Sequence, residues 1–107
     1  MHLLPETIQQ LSADTTLSLQ QDITYELLVE LLAQKLEDLV CNNFQQFVLL
    51  LYKVDVAEDK VSVILASDLS PDVYRKIAVL LIERQQQKII SRKTFKQPDG
   101  DDGEEKW

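Results

Sequence analysis

The chain has 107 residues, a formal net charge of −7, one cysteine, and only two glycines and three prolines. One domain of this size buries roughly 65% of its unfolded surface, enough for a core without disulfides. The single cysteine excludes an intrachain disulfide and a thiolate metal cluster, and the acidic total argues against general affinity for nucleic acid. Both glycines, Gly100 and Gly103, lie near the C-terminus, so residues 1–96 contain none. Tight hairpins favour glycine at positive φ, and its absence points to helices joined by Asp, Asn and Ser turns.

In chain order, Leu4, Ile8 and Leu11 recur at helical spacing and Pro5 suits a first turn, which predicts a short helix over 5–12. Leu17 and Leu19 alternate with Ser18, as an extended segment laid on the core would. Asp22 is the expected N-cap of a helix over 22–40, with Tyr25, Leu28, Leu32, Leu36 and Leu39 as its apolar stripe, widened by Val29 and Val40. Glu26, Glu30 and Glu37 form an acidic ridge on another side. Cys41, near the helix end, is expected to be a small buried hydrophobe. Asn43 caps a third helix over 43–53, in which Phe44, Phe47, Val48, Leu51 and Val54 share a face. Leu49, Leu50 and Tyr52 occupy its other sides, so it either lies inside the bundle or turns part of itself to a second copy of the chain.

Asp55 and Glu58 have capping-box spacing for a helix over 56–67 that carries Val61, Ile64 and Leu65 inward. Ser70 and Pro71 open the last helix, 71–93. Its hexad Ile77–Ile82 is apolar in every direction, the mark of a buried central helix. Val73, Ile77, Leu80 and Leu81 face one way, whereas Ile82, Ile89 and Ile90 face roughly the other, so one helix serves two packing surfaces. Arg84, Lys88 and Arg92, spaced i, i+4, i+8, make a basic ridge. Residues 1–74 hold twelve acids and three bases, whereas residues 75–96 hold seven bases and Glu83. The internal matches for that ridge are the Glu26/Glu30/Glu37 ridge and the acidic tail. Phe95 is a further docking residue, and 97–107 reads as a disordered acidic tail beyond a single domain, 1–96. Trp107 at its end is incidental, a residue folded back on the domain, or a docking anchor.

Catalytic signatures are sparse. His2 is the only histidine, so no Ser–His or Cys–His pair is available, and a glycine-free body removes phosphate-binding loops. Asp55, Glu58 and Asp59 cluster, but a magnesium site needs further oxygen ligands. The N-terminus lacks the pattern of a signal peptide and no run approaches a membrane span, which leaves the cytoplasm as the expected location.

The stretches Phe47–Val61 and Ile82–Phe95 resemble a group of short bacterial helical proteins of unassigned function. That resemblance implies a stand-alone domain in a bacterial cytoplasm and brings no catalytic residue with it. It directs attention to the polar residues Tyr52, Asp55, Arg84, Gln85 and Lys88; Arg92 joins them from the basic ridge.

The expectation is an all-α domain, a small orthogonal or up-down bundle of four main helices and a short N-terminal one. Its expected role is non-enzymatic protein–protein interaction, self-association included, through the exposed parts of 43–53 and 71–93, without cofactor or membrane. The alternatives are a nucleic-acid or nucleotide binder using Arg84, Lys88, Arg92, Lys93 and Lys96, and a small enzyme with a carboxylate-bound metal.

Overall fold

A computed structural model describes residues 3–67 and 70–95. His2, the side chain of Phe95, Lys96, the acidic tail and Trp107 lie outside the described residues. The described chain is an all-α bundle of five helices: α1 (Pro5–Thr15), α2 (Tyr25–Asn42), α3 (Phe44–Val54), α4 (Glu58–Ser67) and α5 (Asp72–Phe95).

Helix α1 begins at Pro5 as the sequence predicts but runs three residues past 12. The Thr15 hydroxyl donates to the Leu11 carbonyl at 2.6 Å, and the helix stops only at Thr16, which takes a left-handed conformation. Residues 17–20 then form no strand, and Leu17 and Leu19 pack half-buried on the core.

Helix α2 starts later than expected, and Asp22 is not its cap. Thr24 is extended and its hydroxyl accepts the Leu27 N–H, so the hydroxyl one position before Tyr25 does the work assigned to Asp22. Its stripe holds, with Leu28, Val29, Leu32, Ala33, Leu36 and Leu39 buried. Cys41 is exposed, contrary to expectation: it lies off that stripe, beyond the last buried position, Leu39. Asn43 separates α2 from α3 and caps α3 as predicted, its side chain accepting from Gln46 N–H.

In α3, Phe47, Leu50, Leu51 and Val54 turn inward, while Phe44, Leu49 and Tyr52 are exposed. The capping box at Asp55 does not form. Asp55 instead ends α3 at φ 67°, and the first turn of α4 closes on the carbonyl of Ala57. Val61 is the buried residue of α4, with Ile64 and Leu65 half-buried.

Helix α5 is the centre of the bundle, packing most extensively on α2 and also on α1, α3 and α4. Within the hexad, Ile77, Ala78, Leu81 and Ile82 are buried, and Val79 and Leu80 are half-buried. The buried face rotates along α5, from Val73/Ile77/Leu81 in the first half to Ile82/Gln86/Ile89 in the second. Ile90, expected inside, is exposed, and the inward position there belongs to Gln86. The Oε1 of Gln86 accepts the Leu4 N–H at 3.0 Å and the hydroxyl of buried Thr7 at 2.8 Å. A pair of hydrogen bonds thus fixes the start of α1 on the second half of α5.

Candidate functional site

A helix leaves its last carbonyls without intrahelical donors, and its C-terminus carries partial negative charge. At the end of α3 those carbonyls are satisfied from two directions. The Asp55 N–H donates to the carbonyls of Leu51 and Tyr52, and the Val56 N–H to that of Leu51. The next carbonyls are reached from α5. Lys88 Nζ donates to those of Lys53 (3.1 Å) and Val54 (3.2 Å), and Arg84 Nε to that of Asp55 (3.0 Å). The spacing of Arg84 and Lys88, one turn apart, places both cations at that end.

Arg84 Nη2 also contacts Asp55 Oδ2 at 2.6 Å, and its Nη1 donates to Gln87 Oε1. The hydrogen bond from Arg84, then its charge, and more weakly the charge of Lys88 hold the Asp55 carboxyl below its usual range. Among the described residues, Asp55 is one of two non-glycine residues at positive φ, a conformation that a short polar side chain tolerates more readily than most. The Arg84 contacts to its carbonyl and carboxylate offset the cost. Asp55, Arg84 and Lys88 therefore form a clasp between the end of α3 and the middle of α5.

The predicted pairing of acidic and basic ridges is not formed among the described residues. Glu30 instead binds Arg75, whose Nε lies 2.6 Å from Glu30 Oε1, and Lys93 pairs with Glu6 at 2.7 Å. The carbonyls at the end of α3 and the Asp55 carboxylate, closer to the middle of α5, take Arg84 and Lys88 instead. Arg92, one turn further along, has no ion-pair partner among the described residues.

Beyond the clasp, α1, α3 and α5 enclose a groove of about 690 Å³. Lys53 of α3 and Arg84, Lys88 and Arg92 of α5 line it, together with the neutral Gln10, Gln85 and Ser91. It contains four cations and no carboxylate. Gln85 is only 1% exposed, and its Oε1 has no hydrogen-bond partner. Few buried polar atoms in folded proteins are left in that condition. Tyr52 stands apart from this assembly: it is 72% exposed on the outer face of α3.

Of the six residues singled out from sequence, the fold thus brings five to one region and sends Tyr52 elsewhere. The sequence reading missed Lys53, the fourth cation of the groove, and Gln86, the anchor for α1. A signal for Gln86 did exist, since it lies at helical spacing between Ile82 and Ile89. Among the described residues, no group of three His, Cys, Asp or Glu side chains is placed to hold a metal ion. No described helix is long and apolar enough to cross a membrane. No protein-family model, curated protein or solved structure matches the chain.

Proposed function

We propose that this chain is a non-enzymatic protein–protein interaction module that binds through the exposed parts of α3 and α5, above all the outer face of α3. The observation that carries this reading is the apolar character of that face. Phe44 (51% exposed), Leu49 (47%) and Tyr52 (72%) project from it with half-buried Val48, and the neutral Gln45 is the one polar residue among them. A soluble helix ordinarily turns polar residues outward, and a contiguous apolar stripe marks a contact surface.

Helix α3 is about 16 Å long, and its outer face is a fraction of the roughly 800 Å² per partner that a standard interface buries. The contact is therefore a weak or transient one, made to a second copy or to an apolar groove on another protein. The exposed, single Cys41 is consistent with a reducing compartment, and we place the protein in the cytoplasm.

Photo-crosslinking tests this. A photoreactive residue at position 49 of the full chain should give a crosslinked adduct in cells, and Tyr52→Glu should abolish it. Mass spectrometry of the adduct distinguishes a second copy from another protein. Absence of any adduct, with a sedimenting mass of 12.3 kDa at every concentration tried, would remove the reading.

A further inference from the structure

The groove between α1, α3 and α5 is not accounted for by the clasp. Arg84 and Lys88 are engaged there by Asp55 and the α3 carbonyls. Lys53 and Arg92 have no such partner among the described residues, and they face the same cavity. Lys53 and Arg92, left without a carboxylate in a groove that has none in its lining, call for an anionic occupant. An acidic peptide meets this condition, with carboxylates for Lys53 and Arg92.

The chain carries such a peptide. Asp99, Asp101, Asp102, Glu104 and Glu105 follow closely on α5, which ends at Phe95, one turn past Arg92. From Arg84 to Arg92 the groove runs about 12 Å along the helix, whereas residues 97–107 span up to about 36 Å when extended. Pro98-Asp99-Gly100 has the residue types of a tight turn, the reversal needed to lead the chain back along α5.

We propose that the α1/α3/α5 groove is an acidic-peptide site and that its occupant is the chain's own segment Asp99–Glu105. The tether raises the local concentration of the segment to the millimolar range, so weak exposed charge pairs suffice to hold it. The site is distinct from the α3 stripe, which stays open while the groove is filled.

The test uses full-length protein throughout. In one variant the five acids are neutralised (D99N, D101N, D102N, E104Q, E105Q), and a synthetic peptide of residues 97–107 is titrated into it and into the wild type. Binding is followed by the backbone amide resonances of Gln85, Ser91 and Arg92. The neutralised variant should bind the peptide saturably, and the wild type roughly tenfold more weakly or worse, because its own segment competes. Binding should weaken with added salt and vanish when Lys53→Glu and Arg92→Glu are added, with the helical circular dichroism unchanged. Equal affinities for wild type and the neutralised variant would overturn the assignment of the occupant. No saturable shift in the neutralised variant, or tighter binding of a single-stranded oligonucleotide than of the peptide, would overturn the acidic-peptide site itself.

Discussion

Gln86→Leu is the substitution whose cost follows most directly from the fold. Gln86 is nearly buried, and its Oε1 accepts both the Thr7 hydroxyl, itself fully buried, and the Leu4 N–H. Leucine keeps the volume and removes the acceptor, which leaves two donors unpaired. A buried donor without a partner costs about 1–3 kcal/mol, and the part-buried Leu4 N–H less, so the variant should lose about 2–4 kcal/mol. For a domain of this size each kcal/mol lowers Tm by about 4–5 °C, a fall of roughly 8–20 °C in a calorimetric scan. Thr7→Val removes one of two donors to a satisfied acceptor and should cost about 1 kcal/mol. The double variant replaces both polar partners by apolar groups and should be more stable than the sum of the singles predicts, by about 1 kcal/mol. Amide exchange should show the start of α1 losing protection in Gln86→Leu and in the double variant, but not in Thr7→Val. A change below about 0.5 kcal/mol in Gln86→Leu, or strict additivity of the pair, would refute the claim that this contact anchors α1.

Lys88→Met takes away the donor to the Lys53 and Val54 carbonyls and should cost about 1–2 kcal/mol in urea melts, whereas Arg92→Ala should stay within about 0.5 kcal/mol. The Asp55 carboxyl is held below its ordinary range by Arg84, so its contribution to stability is present above the unfolded-state value and fades as pH falls through the folded one. Asp55→Asn should flatten the acid limb of a stability–pH curve, and Arg84→Ala should move the Asp55 midpoint upward in a carboxyl NMR titration. Leu36→Ala, at a fully buried position facing the bundle centre, should cost about 2–5 kcal/mol in denaturant melts. Thr16→Gly should stabilise by about 0.5–1 kcal/mol in the same assay, because a β-branched residue occupies a left-handed position there.

The helices were legible because their signals are periodic and local. The stripe Leu28–Leu32–Leu36–Leu39 and the hexad Ile77–Ile82 report helices with buried faces, and Asn43 reports a helix start, without reference to the rest of the chain. Asp22 misled because Thr24, two residues on, can cap the same helix, and only the chain path selects between them. The clasp was partly legible: the spacing of Arg84 and Lys88 marks one ridge, but its target is a set of backbone carbonyls, which no residue type announces. The Glu26/Glu30/Glu37 ridge looked complementary for the same reason, since charge pattern along a helix carries no information about distance to another helix. Gln86 reads as a surface amide on composition alone and becomes an anchor only when Thr7 and Leu4 arrive beside it.

The stop of α3 has one further consequence. A helix ended by glycine is ended by chirality, and neither acid nor salt changes that. Here the boundary is partly held by charge: backbone bonds from Asp55 and Val56 close α3, and an ionic contact with α5 supports the positive φ of Asp55. Acidification or concentrated electrolyte should therefore loosen the elbow between α3 and α4 as a hinge before any helix melts, leaving this small domain with a joint whose stiffness is set by the solution around it.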